Sequence, residues 1–512
     1  MNINNNKGYT LIEIITVIVI LAVILAIAVP TTLFGLISST SKNAFGSNAK
    51  LVLKSIDYKK LENPSFDETI NTENNIVDLV GMPIDNINTV SVSIVDGIRT
   101  INIEGKGKWS GLFACGTYRN MDVFNSNEEC GLGNGVIKQV NAPVLASSMT
   151  PIKWVDGVET TTTINDESWY DYENKLWANA KTADGSYWVW IPRYAYRITE
   201  GYQSSTAGNI SIKFLNGINN NAIIDGSSVS TIPTYENNNH TNYVVHPAFN
   251  FGGTEVTGIW VAKFEASNNT GKVKVAPNAA SWRGINIATM FNNSRSMETD
   301  VVYGWDNTGN GIDTHMLKNT EWGAVAYLSK SSYGINNEVW INPANDYTTG
   351  CAGNTVSSYP TSGCINAYNT ILGFNASTSG NITGIYDISG GAWEYVTGNI
   401  NNLPASSGLN PSLISDKYID RYAATNNGYS SNYFGDAYYE TSYNPYINGV
   451  GNGYGAWYLD YSYTPENIYP WFARGGVLSY AAGAGSFVFG RSAGGALSDL
   501  GFRPAIIVGN GL

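Results

Sequence analysis

The sequence predicts an α+β protein. A long N-terminal helix crosses a membrane and continues as an amphipathic helix. It is followed by a small antiparallel sheet and then by a larger, loop-rich α+β domain. Three observations predict this order: an uncharged apolar run at residues 14–29, an alternating hairpin pattern at residues 90–103, and aromatic-dense segments after residue 184.

The apolar run from Ile14 to Val29 contains only one polar side chain, Thr16. With the following residues it is long enough to cross a bilayer as a helix at about 1.5 Å per residue. Glu13 interrupts this pattern, and an unpaired carboxylate costs roughly 2.5–3.5 kcal/mol at the centre of a spanning helix. We therefore expect Glu13 to have a partner. Lys7 on the non-translocated side predicts that everything after the helix is extracytoplasmic.

The polar leader from Met1 to Lys7, then Gly8, then the residues from Tyr9 to Glu13 resemble the processing motif of type IV prepilins and pseudopilins. The resemblance implies that a prepilin peptidase cuts after Gly8 and that an N-methyltransferase modifies the new amino group of Tyr9. It also implies that Glu13 pairs with the amino terminus of a neighbouring pilin subunit, and that Pro30 kinks the helix. Tyr9 departs from the family, which most often has Phe there.

Two alternatives remain for this segment. Ala26-Ile27-Ala28 offers the small-x-small cleavage site of a secretory signal peptide, and a plain membrane anchor would also be apolar. Against the signal peptide, Lys7 is the only positive charge before the apolar run, and Glu13 is unfavourable in such a peptide.

Composition separates this chain from nucleic-acid-binding proteins. The net charge is −12 and the pI is near 4.8, whereas phosphate binding needs clustered Lys and Arg. Charged residues make up 14% of the chain, against about 25% in typical proteins, and Asn, Ser, Thr, Gly and Tyr replace them. Such a surface suits extracellular contacts, and a chain of this length predicts two or three domains.

The four cysteines form two local pairs, Cys115 with Cys130 and Cys351 with Cys364. In an exported chain this pattern predicts two small disulfide loops, each worth about 3 kcal/mol by loop-entropy estimates. A zinc site is the alternative, but the spacing is too wide and the histidines are scattered, and free thiols remain a third interpretation. Those histidines are His240, His246 and His315.

The chain is predicted to contain a leader at 1–8, the transmembrane and amphipathic helix at 9–60, and a β module with a disulfide loop at 61–140. A linker or entry strand at 141–183 then leads to a domain at 184–512. The helix is marked by an apolar stripe with helical spacing, which consists of Phe45, Ala49, Val52 and Ile56. The hairpin is marked by alternation at 90–94 and 101–103 around Asp96-Gly97.

In the second half, residues 184–193 and 258–265 are predicted as strands, and the Asn-rich segment 201–246 as surface loops. A helix is predicted over 316–328, capped by Asn319 or Thr320. Its buried face is predicted to comprise Trp322, Val325, Ala326 and Leu328. Beyond this helix, no long regular element is expected.

A second resemblance covers roughly residues 184–508. The segment from Asp387 to Tyr395 resembles the Gly-Asn-Val-Trp-Glu-Trp motif of the formylglycine-generating enzyme, or sulfatase-modifying factor, family. Arg474-Gly475-Gly476, Gly490-Arg491 and Gly501-Phe502-Arg503 are similar to the closing motifs of that family. The resemblance implies a variant of the C-type lectin fold.

These motifs predict architectural roles. Trp393 and Phe502 are expected to be core anchors, and Arg503 to form a buried ion pair with Glu394 or Glu321. Glycines are expected to permit tight turns, at Gly390, Gly391, Gly475 and Gly476.

Catalysis in that family depends on cysteines between the Arg-Gly-Gly and Gly-Phe-Arg motifs. This chain has none there, and Ser479 and Tyr480 occupy the approximate position. A thiolate nucleophile and soft copper ligand are therefore missing, so no catalytic residue, metal site, cofactor or enzymatic activity is predicted. Calcium is not predicted either, although oxygen ligands are abundant.

We expect a binding module instead, because Tyr and Trp offer large contact areas at low entropy cost. The ligand-binding candidates are Tyr458, Tyr461, Tyr463, Tyr480, Phe489 and Arg491. The prediction is a minor or tip subunit of a type IV pilus or type II secretion-like pseudopilus, anchored by one helix in the bacterial membrane before assembly and extracellular afterwards. Its head would bind an extracellular ligand or surface. The alternatives are a membrane-anchored receptor, including one diversified by a retroelement, and a formylglycine-generating-like enzyme.

Overall fold

The chain divides into two compact units, Met1–Ile137 and Lys138–Leu512. The structure is a computed structural model, and it describes residues 41–509 apart from 43, 57–59, 61–85, 96–97, 118–120, 125–139, 167, 233–234, 237–238, 241, 306–310, 355–359, 426–427, 430–433 and 444–454. The predicted cleavage site at Gly8 and Tyr9, the charge at Glu13, Pro30 and the membrane-spanning run lie outside the described residues.

The first unit contains a helix, α1, at residues 41–56, and a four-stranded antiparallel sheet in the order β1-β2-β3-β4. Its strands are β1 Ile87–Val95, β2 Ile98–Gly105, β3 Phe113–Gly116 and β4 Met121–Phe124. The predicted hairpin is confirmed, with Val90 opposite Ile103 and Val92 opposite Ile101. This register places the apolar members of the alternation on one face of the sheet.

The core of this unit lies between α1 and the sheet. All four residues of the predicted stripe are buried, as is Leu53, and they share one cluster with Ile101, Ile103 and Ala114. The rings of Phe45 and Trp109 lie 5.1 Å apart between their centroids. Each of the larger side chains, from Val to Phe, contributes about 1.5–3 kcal/mol by leaving water, so the apolar stripe attaches the helix to the sheet.

The second unit is built mostly from strands. Its first half contains β5 Thr150–Val155, β6 Val158–Thr161, β7 Asn179–Lys181, β8 Tyr187–Pro192, β9 Tyr194–Glu200, β10 Asn209–Phe214, β11 Tyr235–Glu236, β12 Asn239–His240, β13 Val244–Val245, β14 Asn250–Phe251, β15 Thr254–Glu255, β16 Gly258–Ala262, β17 Ser267–Asn269 and β18 Lys272–Lys274. Its second half contains β19 Ile312–Met316, β20 Cys351–Ala352, β21 Asn366–Ala367, β22 Trp393–Ile400, β23 Asp420–Tyr422, β24 Ala424–Thr425, β25 Gly428–Tyr429, β26 Trp471–Gly475, β27 Gly485–Ser492, β28 Leu500–Phe502 and β29 Pro504–Val508.

A seven-stranded antiparallel sheet runs in the order β19-β29-β16-β8-β7-β5-β6. The two predicted aromatic strands are confirmed as the neighbours β8 and β16, with Trp190 opposite Trp260. Segment 141–183 supplies β5, β6 and β7, so the expectation of a linker there is wrong and its entry-strand alternative is correct. Strand β29, the last in sequence among the described residues, lies between β19 and β16.

A second sheet corrects the expectation that no long regular element follows residue 328. Strands β23, β22, β26 and β27 lie side by side, and β28 pairs in parallel with the start of β22. Strand β22 and strand β27 each contain eight residues. Glycine-rich sequence obscured these strands because Gly weakens the alternation by which strands are recognised.

The predicted loop segment 201–246 is also partly regular. Strand β10 and strand β13 flank β9 in a three-stranded sheet, and the alternate residues Ile210, Ile212 and Phe214 of β10 are buried. The expectation of surface loops is therefore wrong for β10.

Two α-helices lie in the described part of this unit, α2 Ile287–Ser296 and α3 Asn319–Ser329. The predicted helix is confirmed from Asn319 onward, but Met316 at its predicted start belongs to β19. Its cap is Lys318 rather than Asn319 or Thr320, and the Glu321 carboxylate accepts the Lys318 backbone N–H at 2.8 Å. Every residue of α3 is buried, so its polar residues are enclosed as well as the predicted apolar face. The short 3₁₀ helices among the described residues of both units are Gly107–Trp109, Pro247–Phe249, Met297–Thr299, Val301–Tyr303, Gly373–Ala376, Pro411–Leu413, Trp457–Leu459 and Leu478–Gly483.

One predicted disulfide is present between Cys351 and Cys364, whose Cα atoms lie 5.2 Å apart, so neither forms a zinc site or a free thiol. Cys115 on β3 is also disulfide-bonded, and Cys130, its predicted partner, lies outside the described residues.

Candidate ligand-binding site

Adjacent residues of the second sheet point to opposite faces, because side chains alternate along a strand. On β22, Glu394 enters a buried ionic centre, whereas Trp393 lines a cavity. On β26, Arg474 is buried and the neighbouring Ala473 lines the same cavity. We call the two sides the core face and the pocket face.

The core face carries the predicted buried ion pair. Arg503 donates from Nη2 to Glu394 Oε1 at 2.5 Å and from Nε to Glu394 Oε2 at 3.1 Å, and both side chains are buried. The guanidinium also donates to the carbonyls of Ala262 at 2.8 Å and Tyr386 at 2.9 Å. Glu394 is therefore the partner of Arg503, and the alternative partner Glu321 is not.

Two further carboxyl groups lie close to this pair. Burial raises the pKa of Glu265 and of Asp387, and it raises the pKa of Glu394 to about 7 although Arg503 opposes the shift. Glu265 accepts the Ala392 N–H at 3.0 Å, and Asp387 accepts the Gly350 N–H at 2.8 Å. One guanidinium among three buried carboxyl groups favours retention of a proton. These groups hold backbone segments together, which is a structural role.

The backbone angles of the four predicted turn glycines fit the architectural role expected of them. Gly390, Gly391, Gly475 and Gly476 have φ values of 70°, 68°, 79° and 76°, which L side chains rarely adopt. A Cβ on Gly391 would lie 2.6 Å from Glu265 Oε1. Phe502 is fully buried, which confirms it as a core anchor.

A second buried ionic cluster precedes α3. His315 Nε2 lies 3.0 Å from Glu321 Oε1, and His315 Nδ1 lies 3.3 Å from Asp313 Oδ1. Burial alone would lower the pKa of His315, but the charges on Glu321 and Asp313 outweigh burial and raise it to about 9. Sequence reasoning treated His315 as scattered, although Glu321 follows it by only six residues.

The pocket face holds a cavity of about 450 Å³, which we call the aromatic pocket. Its side-chain lining consists mainly of Trp393, Tyr461, Tyr463, Tyr469, Tyr480, Arg491 and Asp499. Segment 461–463 runs beside β27, where the Tyr463 N–H donates to the Phe489 carbonyl at 2.7 Å. Because side chains alternate there too, Tyr461 and Tyr463 share one side, with parallel rings 6.0 Å apart between centroids.

Three rings at one end of the aromatic pocket meet edge to face. Centroid distances are 5.3 Å for Trp393 and Tyr480, 6.2 Å for Trp393 and Tyr461, and 5.1 Å for Tyr461 and Tyr480. Trp393 is only 8% exposed and forms the floor, whereas the two tyrosines are partly exposed. A Cβ on Gly490 would lie 2.7 Å from the Trp393 ring, so only glycine fits beside that floor.

Arg491 occupies the other end of the aromatic pocket. Its Cζ lies 3.8 Å from the Tyr463 ring centroid and 5.1 Å from that of Tyr469, and its Nη1 lies 2.5 Å from Glu466 Oε1. The guanidinium is therefore stacked on aromatic faces and neutralised by a carboxylate.

The structure brings four of the six predicted ligand-binding residues together: Tyr461, Tyr463, Tyr480 and Arg491. Phe489 is fully buried and stacks on Tyr438 at 4.2 Å between centroids, so its assignment to the site is wrong. It lies on the core face, opposite the buried Arg474 of β26, whose Cζ is 4.9 Å from the Phe489 ring centroid. Tyr458 is absent from the pocket lining and lies beside Lys330, whose Nζ is 5.4 Å from its ring centroid.

Sequence reasoning missed the pocket roles of Trp393, Tyr469 and Asp499, and the ion pair of Glu466. The motif at 387–395 identified Trp393 only as an anchor. The available signal was its position next to Glu394, because neighbouring residues of a strand point to opposite faces. The remaining three lie in irregular segments, where sequence carries no periodic signal.

Two larger cavities among the described residues have fewer aromatic rings in their lining: Trp282 in the first, and Tyr422 and Phe434 in the second. One of about 730 Å³ is lined largely by turn residues near Asn268, Trp282 and Arg283, and one of about 530 Å³ lies near Asp420 and Arg421. Within the described ranges, no group of three or more His, Cys, Asp or Glu side chains is placed to hold a metal ion.

Comparison with known proteins gives one result at the N terminus. Residues 3–29 match the family described as "Prokaryotic N-terminal methylation motif". No curated protein matches the chain. None of the helices that the structure describes is both long and apolar enough to cross a membrane. The matched residues give this chain the N terminus of a type IV prepilin-like protein, which implies processing by prepilin peptidase and assembly with other pilins.

Proposed function

We propose that this protein is a minor or tip subunit of a type IV pilus or pseudopilus and that its second unit is a lectin-fold head that binds an extracellular ligand or surface. The observation that carries the proposal is the methylation motif at residues 3–29, followed in the same chain by a large unit with an aromatic pocket. The motif supplies a route to assembly, and the pocket supplies a surface for binding.

The first unit supports the assembly part of the proposal. Helix α1 follows the matched motif in the sequence, and its apolar face is covered by a four-stranded antiparallel meander. A helix followed by a sheet that covers it is the plan expected of a pilin. The size of the second unit favours a minor or tip position, because a bulky head on every subunit would crowd a helical filament.

The aromatic pocket supports the binding part. Ligand sites are concave and largely apolar, with a few polar groups that orient the ligand. Tyrosine and tryptophan supply rigid contact area with polar tips, which suits adaptable recognition. Catalysis is not proposed, because segment 474–503 lacks the cysteines on which the formylglycine-generating family depends.

Immunogold labelling of cells with an antibody against residues 138–512 tests the proposal. Label on filaments, at their tips or along their length, is the expected result. Label on the cell body alone would contradict assembly and would favour a tethered receptor.

Shearing gives an independent test of the role of Glu13. Glu13→Ala is expected to abolish recovery of this protein in the sheared filament fraction, because the charge would no longer pair with a neighbouring amino terminus. Glu128→Ala is the matched control, since it removes a carboxylate outside the motif and should leave recovery unchanged. Equal recovery of both variants would assign Glu13 no part in assembly.

A further inference from the structure

We propose that the aromatic pocket binds an organic ammonium group, held over the rings of Trp393, Tyr461 and Tyr480 and neutralised by Asp499. The inference rests on the proposed function, because it names the ligand chemistry of that binding site. It follows from the charge balance of the pocket and from the shape of its aromatic end.

The charge balance of the pocket lining favours a cation. Arg491 and Asp499 are the charged side chains that line the cavity. Arg491 is already neutralised, since Glu466 lies 2.5 Å from its Nη1. Asp499 is left as a carboxylate with no ion pair or side-chain hydrogen bond to any described residue.

The residues around Asp499 include one guanidinium, that of Arg283, which makes no ion pair with it. Its backbone carbonyl accepts the Trp393 N–H at 2.9 Å, which fixes the residue beside the floor of the pocket. Arg283 donates from Nη1 to the backbone carbonyl of Ser498, the residue before Asp499. The Cζ atom of Arg283 lies 3.6 Å from the centroid of the Tyr347 ring. The nearby guanidinium is thus engaged with a ring and a backbone carbonyl, and Asp499 faces the cavity.

The aromatic end provides the matching surface. Cations are attracted to the faces of Trp and Tyr within about 6 Å of the ring centroid. Three rings that meet edge to face cannot all stack flat on a planar ligand, but they form a concave corner for a compact, roughly spherical group. An alkylated ammonium group has that shape and the charge that complements Asp499.

The opposite end of the same pocket shows that its rings accept a cation. The Arg491 guanidinium lies 3.8 Å from the Tyr463 centroid and within reach of Tyr469. Ligand and Arg491 would therefore occupy neighbouring aromatic surfaces, with Glu466 and Asp499 as their respective counter-charges. The net charge of −12 further favours approach of a cation over that of an anion.

The test is calorimetric titration of the mature full-length protein in a non-ionic polyoxyethylene detergent. Choline is the probe, and 3,3-dimethylbutan-1-ol is its neutral control, with nearly the same shape and no charge. Choline is expected to bind, and the neutral alcohol to bind about tenfold more weakly or not at all. Equal binding of both compounds would overturn the proposal.

Variants locate the site. Asp499→Asn keeps the shape and removes the charge, and we expect choline binding to weaken about tenfold. Its control is Asp156→Asn, at an exposed turn whose φ of 52° Asn tolerates, and binding should be unchanged. Tyr480→Leu should weaken binding about tenfold, and Tyr480→Phe less than twofold. Choline binding that survives both Asp499→Asn and Tyr480→Leu would lie elsewhere and overturn the proposal.

Further probes separate the sources of the ammonium group and separate this proposal from the proposed function. Phosphocholine represents a choline-decorated surface, and N-acetyl-lysine amide represents a lysine side chain of a protein. The probe that binds more tightly identifies the source of the ammonium group. If neither choline nor these probes binds, but methyl glycosides bind and Tyr480→Leu removes that binding, the ammonium inference fails while the head remains a binding module. Absence of the protein from filaments would defeat the proposed function whatever the titrations show.

Discussion

The two units of this chain are stabilised by interactions of different range. In the first, α1 and its meander share an apolar core built from residues that follow simple local periods. In the second, buried ionic pairs join distant segments, as when Arg503 meets Glu394 109 residues earlier. The first unit therefore needs only a helix and a sheet whose apolar faces fit together, whereas the second depends on specific pairing of buried side chains from distant segments. In its second sheet this pairing lies on the core face, and the pocket face remains available for recognition.

The largest expected effect concerns the first unit. Gly8→Val should block cleavage, because a branched side chain would occupy the position where the peptidase approaches the backbone of glycine. The protein should keep its leader and disappear from sheared filaments, as measured by immunoblot and intact mass. Tyr9→Phe, which restores the residue most often found in prepilins, should be processed normally. Normal cleavage of Gly8→Val would separate this chain from prepilins.

The next effect tests the ionic pairing of the second unit. Arg503→Met should lower the free energy of unfolding by about 3–5 kcal/mol, because it leaves the buried Glu394 without its partner. Denaturant unfolding of the purified protein measures this change. Asp225→Asn breaks an exposed pair with Lys213 and should cost less than about 1 kcal/mol. Similar losses in both variants would show that the buried centre has no special role.

The pH dependence of stability tests the cluster before α3. Because the pKa of His315 is about 9 in the fold, against an ordinary histidine pKa of 6.5, its protonation stabilises the folded state fully below pH 6.5. That contribution of about 3 kcal/mol should be lost as the pH rises from 6.5 through 9. Unfolding curves at several pH values measure the slope. His315→Gln should reduce it, and an unchanged slope would exclude His315 as its source.

The smallest effect separates the two faces of the second sheet. Phe489→Leu should lower the free energy of unfolding by about 1 kcal/mol, because Phe489 is packed in the core, and should leave choline binding unchanged. Tyr480→Leu should weaken choline binding and leave the free energy of unfolding nearly unchanged, since Tyr480 is partly exposed in the pocket. If Phe489→Leu abolished choline binding and Tyr480→Leu did not, the ligand would not bind in the aromatic pocket.

The same difference in range explains how much the sequence could predict. Stripe and hairpin patterns predicted α1, β1 and β2 because these elements bury one face with a fixed period. The sequence predicts two candidate partners for Arg503, Glu394 and Glu321. The structure shows that Glu394 pairs with Arg503 and that Glu321 contacts His315. Phe489 was predicted in the site as one of several aromatic residues near the carboxyl terminus, and its pairing opposite the buried Arg474 depends on the register between β26 and β27. Asp499 could not be found, since its role depends on which charges lie around it.

The central claim is that this chain is processed as a prepilin and carries its second unit into a filament. Mass spectrometry of the N-terminal peptide from sheared filaments tests it most directly. We expect a peptide that begins at Tyr9 with a methylated amino group. A peptide that begins at Met1, or beyond Ala28, would contradict it.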